Sequence, residues 1–221
     1  MEAELESVGM FDECPGCGTV HLDMTVDSAA SVVVCPECGH EQSIHQEPLL
    51  IVSGSGGTGK SAVLRELRGT RDDVVLLDSD VVWRDEFWDE IDWYVQTWLR
   101  LCRDIAQSKR PPVLFGAGLG VPASIEAHPQ HECFSEIHYL ALVCDDDEQE
   151  RRLKARSPGR HPGEFSMDQS NVNDQVEFNQ WFKKAADDEE FTVIDTTDAT
   201  LDETTARVDE WISRHASDKT L

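Results

Sequence analysis

The sequence predicts an α/β fold, a doubly wound five-stranded parallel sheet preceded by a small β unit that a metal ion holds together. Three observations predict it. From residue 49 onward, short apolar runs alternate with amphipathic stretches of helical period, the pattern of strand and crossover helix. The first of these runs, Leu49-Leu50-Ile51-Val52, passes directly into Gly54-Ser55-Gly56-Gly57-Thr58-Gly59-Lys60-Ser61. Ahead of it stand two copies of Cys-Pro-x-Cys-Gly. Glu47-Pro48 marks the boundary, because proline disfavours helix at the residue before it and the buried strand begins at once. The expected division is 1–47 and 48–221.

In the N-terminal unit, Cys14-Pro15-Gly16-Cys17-Gly18 and Cys35-Pro36-Glu37-Cys38-Gly39 each put two thiols on a tight turn, at a separation within the range of zinc sites. The glycine after each second cysteine lets backbone N–H groups turn toward sulfur. Between the turns Val20, Leu22, Met24 and Val26 alternate with polar residues, and Ser31 to Val34 supplies a second strand, so a β-hairpin carries the metal. Cys14, Cys17, Cys35 and Cys38 complete a tetrahedron around Zn²⁺ and leave no open position for catalysis. The pattern resembles a zinc ribbon over about residues 12–45, with His40 and His45 as surface residues. So short a segment buries little core, and metal binding would hold it folded. A purely structural role and contact with nucleic acid or a protein partner are both compatible with it.

The motif at 54–61 fits G-x-x-x-x-G-K-[ST], the phosphate-binding P-loop. Its glycines let the backbone fold tightly enough for several N–H groups to face one anion, and a helix starting near Lys60 adds the positive end of its dipole. Lys60 is expected to reach the β and γ phosphates of a nucleotide, and the Ser61 hydroxyl to ligate the Mg²⁺ that bridges them. Ala62, Val63, Leu64 and Leu67 read as that helix, which ends near Gly69.

Val74 to Leu77 is the second strand. Asp78-Ser79-Asp80 follows at its carboxyl end, on the same sheet edge as the P-loop. One carboxylate can take the proton of an acceptor hydroxyl and the other can hold Mg²⁺ through water. A pair of acids in a solvated turn would read the same way. Asp85 to Gln107 has helical period, with Phe87, Ile91, Tyr94, Trp98, Leu101 and Ile105 on its inward side. Val113-Leu114-Phe115 is the third strand, and Gly116-Ala117-Gly118-Leu119-Gly120 a turn that lets backbone approach a ligand.

Ile137 to Val143 is the fourth strand, after which Asp147 and Glu150 form a capping pair that opens a helix from Glu148 to Arg156. Arg151, Arg152, Arg156 and Arg160 cluster around the break at Ser157-Pro158-Gly159. Arg156 and Arg160 are the two expected to brace a transferring phosphoryl group from a polar lid, while the others pair with acids. A helix through Trp181 and Phe182, a fifth strand Phe191 to Asp195, and a closing helix Leu201 to His215 finish the sheet. In that last helix Leu201, Val208, Trp211 and Ile212 face inward.

Composition narrows the classes. Nineteen Lys and Arg against 44 Asp and Glu give a net charge of −25, and lysine occurs only as Lys60, Lys109, Lys154, Lys183, Lys184 and Lys219. Such a surface repels itself where the screening length is about 10 Å and much less where it falls to about 3 Å near 1 M salt, which points to a salt-rich cytoplasm and a halophilic protein. The acids are spread among apolar residues, unlike a disordered acidic tail, and they weaken non-specific nucleic-acid binding. No apolar stretch approaches the ~18 residues of a membrane span, and the acidic start of the chain is unlike a signal peptide. In the cytoplasm expected from this, the seven cysteines read as metal ligands and buried thiols.

Residues 48–221 resemble the P-loop small-molecule kinases, the group that includes nucleoside and nucleotide kinases, shikimate kinase and gluconate kinase. The matching stretches are GSGGTGKS at 54–61, LLDSD at 76–80, RRLKARSPGR at 151–160 and FTVIDTTDATLDETTARVDEWI at 191–212. The resemblance implies an ATP- and Mg²⁺-dependent phosphotransferase. In it Lys60 and Ser61 serve the nucleotide, Asp78 and Asp80 the acceptor or metal, and the lid arginines the transition state. Two features depart from the group. The third strand ends in Phe115-Gly116 with no Walker-B carboxylate, and a zinc ribbon before the P-loop is unusual for a metabolic kinase. The acceptor expected first is a nucleoside or nucleotide. A nucleotide-dependent regulatory or nucleic-acid-associated ATPase that uses the ribbon for recognition, or a polynucleotide 5′-kinase, is the competing expectation.

Overall fold

A computed structural model describes residues 13–20, 25–84, 90–155, 169–185 and 191–216. Leu22, Met24, Phe87, Arg156 and Arg160 lie outside the described residues.

The N-terminal unit is a three-stranded antiparallel sheet in the order β1-β2-β3, with β1 Thr25–Asp27, β2 Val32–Val34 and β3 Glu41–Ser43. The expected hairpin is therefore extended by a strand: β3 pairs with β2 in register Val33↔Gln42. Its polar sequence, Glu41-Gln42-Ser43, carries no strand period, and the pairing comes from the turn at Cys35–Cys38 folding the chain back. Val26, Val33 and Ile44 pack with Cys14 and Cys35, and this small core also takes in Cys133 from the other part of the chain.

That other part is a five-stranded parallel sheet: β4 Leu49–Ser53, β5 Val75–Asp78, β6 Pro112–Phe115, β7 Ile137–Val143 and β8 Thr192–Asp195. Their spatial order is β5-β6-β4-β7-β8, the doubly wound arrangement in which strand order reverses beside the first strand. All five residues of β4 are buried, as a strand covered on both faces requires. Leu50 and Val52 enter one core, with Val63, Leu64 and Leu67 of α1 (Lys60–Leu67) and Val208, Trp211 and Ile212 of α6 (Leu201–Ala216). Leu49 and Ile51 enter the opposite core, with Tyr94, Val95, Trp98, Leu99 and Cys102 of α2 (Ile91–Ala106) and Ile125 of α3 (Pro122–Glu126). Each such apolar side chain contributes roughly 1.5–3 kcal/mol on burial, so the two faces of one strand tie four helices to it.

Three helices differ in detail from their sequence reading. In α2 the buried apolar positions are Tyr94, Val95, Trp98, Leu99, Cys102 and Ala106, with Arg103 buried beside them, while Ile91 and Leu101 are exposed. The inward stripe keeps Tyr94 and Trp98 but is rotated toward Val95, Leu99 and Cys102, which join them in the core under the sheet. In α4 (Asp146–Lys154) the cap is Asp145, not Asp147, and its carboxylate accepts the Asp147 N–H at 3.0 Å. Any of three successive aspartates can cap a helix; Asp145 does so because β7 ends two residues before it. Leu201 in α6 is exposed, whereas Val208, Trp211 and Ile212 are buried as expected. The last helix before β8 is α5, Gln169–Ala185.

The two sheets are joined by more than the chain. Gln107, just beyond α2, accepts the His45 N–H at 2.9 Å and donates to His45 O at 3.0 Å. Gln46 Nε2 donates to Glu132 O at 2.9 Å in the 3-10 turn Pro129–Cys133. Together with buried Cys133 these contacts seat the N-terminal unit on the end of α2.

Candidate functional site

β4 ends at Ser53 and the chain turns at Gly54 with φ 133. A Cβ there would stand 2.2 Å from the Leu142 carbonyl oxygen of β7. Only glycine permits that approach and that dihedral together. The loop then folds on itself. Thr58 Oγ1 donates to Ser55 O at 2.9 Å, and Lys60 Nζ donates to Gly54 O at 2.5 Å and to Ser55 O at 2.9 Å. Gly59 enters α1 in the left-handed conformation and no side chain caps the helix, so its first N–H groups open toward the loop.

Three side chains from distant elements complete the cradle. Gln149 of α4 is fully buried, and its Nε2 lies 2.6 Å from Ser55 Oγ, 2.7 Å from Gly56 O and 3.0 Å from Gln175 O. Gln175 of α5 turns its own amide oxygen to the Gly56 N–H at 2.5 Å. Thr196, after β8, brings its hydroxyl within 3.2 Å of Thr58 O and 3.0 Å of Val143 O. Arg152 in turn donates to Thr196 Oγ1 at 3.0 Å and Thr196 O at 2.7 Å while pairing with Glu148 at 2.6 Å. These polar contacts were not expected from sequence. The available signal was amides at inward positions of a helical period: Gln175 and Asn179 fall between buried Val172 and Phe182 in α5. Asn179 is itself buried and donates to Cys144 O at 2.7 Å, at the end of β7.

Asp78 and Asp80 lie on the same edge. The parallel register sets Val52 and Asp78 both opposite Phe115, so the carboxyl ends of β4, β6 and β5 stand side by side. Asp78 closes the 3-10 turn Ser79–Val82 by accepting the Asp80 N–H at 3.2 Å, and Arg68 stands 3.9 Å from its other oxygen. The turn is fixed from below, where Tyr94 Oη and Trp98 Nε1 donate to Ser79 O at 3.0 and 3.2 Å. Burial, with a smaller contribution from the carboxylates of Asp80 and Asp78, pushes the Tyr94 hydroxyl up to about 12, so it stays a donor over the whole working range of pH. β6 carries no acid at its end. At Gly116 a Cβ would meet Ser79 Oγ at 1.7 Å, so the turn bearing the two aspartates occupies the space a side chain there would fill.

Of the sequence-expected residues, then, Gly54 to Ser61 form one loop, and Asp78 and Asp80 share its edge of the sheet. Arg151 and Arg152 both pair with Glu148. Lys183 of α5 pairs with Asp146 at 3.0 Å. The 340 Å³ cleft between α4 and α5 is lined by Asp146, Asp147, Glu150 and Glu177 and would repel a polyphosphate.

The second site is the thiol cluster. The sulfurs of Cys14, Cys17, Cys35 and Cys38 all lie within 4.8 Å of one another. The Cys14–Cys38 and Cys17–Cys35 separations are 3.7 and 3.8 Å, far from a disulfide bond. They match the edge of a tetrahedron with metal–sulfur bonds of ~2.3 Å, which is about 3.8 Å. The Gly16 N–H donates to Cys14 Sγ at 3.3 Å, and Thr19 holds the Cys17 thiol well below its ordinary value, at about 6. The cluster fits Zn²⁺ in a zinc ribbon.

The fold has solved counterparts. A gluconokinase from Sinorhizobium meliloti superposes on 77% of this chain and 94% of its own, with TM-score 0.52 at 16% identity. A sugar kinase from Janibacter sp. covers 76% and 95% respectively, with TM-score 0.56 at 15% identity. No protein-family model and no curated protein sequence matches the chain. At these identities the likeness establishes the fold: the chain has the P-loop kinase fold, with a zinc ribbon ahead of it.

Proposed function

We propose that the protein is an ATP- and Mg²⁺-dependent phosphotransferase that moves the γ-phosphoryl group to a small acceptor, a nucleoside or nucleotide being the class to test first. The observation that carries this reading is one sheet edge that brings together an anion cradle, Gly54 to Ser61, and two carboxylates, Asp78 and Asp80. Backbone N–H groups of the loop and the opening of α1 bind the polyphosphate; Lys60 exchanges its carbonyl partners for β and γ oxygens, and Ser61 supplies a hydroxyl to Mg²⁺. A Mg²⁺ held there by Ser61 would offset the charge of the transferring group. Asp80 or Asp78 takes the acceptor hydroxyl's proton as it attacks in line, so the products are ADP and the phosphorylated acceptor. Arg156 and Arg160 are proposed to steady the transition state.

The ribbon, residues 1–47, is proposed as a structural brace on the kinase-like unit, 48–221. No Lys or Arg precedes Lys60, and the ribbon carries Glu13, Asp27, Glu37, Glu41 and Glu47. Such a surface has nothing to neutralise a phosphate backbone, which disfavours nucleic-acid recognition by the ribbon. Among the described residues no helix is long and apolar enough to cross a membrane, and the net charge of −25 suits a salt-rich cytoplasm.

The test is ATP consumption in high salt with Mg²⁺, with and without pools of nucleosides, nucleoside monophosphates and sugars. An acceptor should raise consumption well above hydrolysis in water, Lys60→Ala should lower the rate on the order of a hundredfold or more, and Asp78→Asn should remove the acceptor's effect. Stimulation by oligonucleotide alone, lost on deleting residues 1–47, would replace the kinase reading with that of a nucleic-acid-associated ATPase.

A further inference from the structure

Gln175 stands apart from the other groups around the loop. Gln149 and Thr196 meet carbonyl and hydroxyl oxygens of the loop and hold its shape. Gln175 alone among the described side chains brings an acceptor to a loop N–H: its Oε1 takes the Gly56 proton at 2.5 Å. An amide oxygen there satisfies a loop N–H that an incoming phosphate oxygen could otherwise accept from. Lys60 behaves in parallel, its ammonium spent on Gly54 O and Ser55 O. Two donors of the cradle, the Gly56 N–H and the Lys60 ammonium, are thus engaged by the protein's own oxygens.

We infer that Gln175 is an internal competitor for the phosphate site, a latch from α5 that polyphosphate must displace from the Gly56 N–H, and this inference rests on the loop binding nucleotide. The geometry makes displacement feasible. Gln175 is only partly buried, whereas Gln149 is wholly enclosed. The Gln149 amide also donates to Gln175 O, so the backbone of α5 stays tied to the loop when the Gln175 side chain swings away. A neutral hydrogen bond is an apt latch: it satisfies a donor yet yields to the stronger bonds of a charged phosphate. It also links α5 to the loop, so that nucleotide entry releases a side chain of that helix.

The experiment is equilibrium binding of ATP·Mg²⁺ and ADP·Mg²⁺ by the full chain and its Gln175→Leu, Gln175→Met and Gln175→Glu variants, with Lys60→Ala alongside. Removing the competing acceptor should tighten binding about fivefold in Gln175→Leu and Gln175→Met. The carboxylate of Gln175→Glu, which holds the same N–H more strongly and repels phosphate, should weaken it on the order of tenfold. Melting curves that superpose on wild type establish that the variants are folded, and the Met variant keeps the test available if Leu does not fold. A merely structural glutamine would not tighten binding on removal, so unchanged or weaker binding in folded Leu and Met variants overturns the latch. If wild type and Lys60→Ala bind nucleotide equally poorly, it is the nucleotide reading itself that fails.

Discussion

The thiol cluster and the glycine-rich loop both gather polar groups in a turn of backbone, and they do so in different ways. The cluster is complete within itself. Its four sulfurs come from two short turns of the same design, and they stand at tetrahedral separations with every ligand position assigned. The loop is incomplete within itself. Its glycines give it shape, but its carbonyls and N–H groups are met by Gln149, Gln175 and Thr196, which arrive from three elements nearly a hundred residues or more along the chain. The cluster's shape comes from its own two turns, whereas the loop's shape depends on buried Gln149 and Thr196 brought to it by the fold.

The largest effect that would test this contrast is metal removal. Zinc contributes on the order of 10–16 kcal/mol to folding in finger peptides, and the ribbon's small core, built on buried Cys14 and Cys35, has little else. Chelation, or Cys35→Ser, should release one zinc per chain and add an early melting transition, while ATP·Mg²⁺ affinity stays within about threefold of wild type. Equal loss of zinc and nucleotide binding would make the two sites one.

A smaller effect is expected at Gln149. Gln149→Leu leaves Ser55 Oγ, Gly56 O and Gln175 O without their donor in a fully buried place, which should cost about 1–3 kcal/mol. For a chain of this size each kcal/mol lowers the melting temperature by roughly 2–4 °C. The loss should appear in the main transition and leave the zinc-dependent one unchanged.

The smallest is at Glu148, whose carboxyl the guanidinium groups of Arg151 and Arg152 hold down at about 2. Because the folded value is depressed, the stabilisation is present above about 4.5 and is lost as pH falls toward about 2. Glu148→Gln should therefore flatten the acid limb of the stability profile slightly, and less so at high salt, since the pair faces solvent.

The same contrast explains what the sequence made legible. The cysteine pairs and the GSGGTGKS motif name their ligands within a few residues, so the ribbon, the loop and the parallel sheet after it were readable from local spacing alone. β3 was not, because Glu41-Gln42-Ser43 has no apolar alternation and its pairing is imposed by the knuckle before it. In α2 the aromatic positions Tyr94 and Trp98 were readable, but the same period allows Ile91 and Leu101 or Val95, Leu99 and Cys102 beside them, and only the fold selects the second set. Gln149 and Gln175 were invisible for a different reason. A buried amide looks like any surface glutamine until the fold shows what stands opposite it.

If the loop moves a phosphoryl group onto a small molecule while the ribbon only braces the fold, the acceptor must gain phosphate without any nucleic acid. Following the label from ATP carrying isotope in its γ-phosphoryl group, in high salt with Mg²⁺ and mixed small acceptors, tests it most directly. Label should appear on a small acceptor in wild type without any nucleic acid, and not with Lys60→Ala. Label found only as inorganic phosphate, and only when an oligonucleotide or protein partner is added, would contradict it.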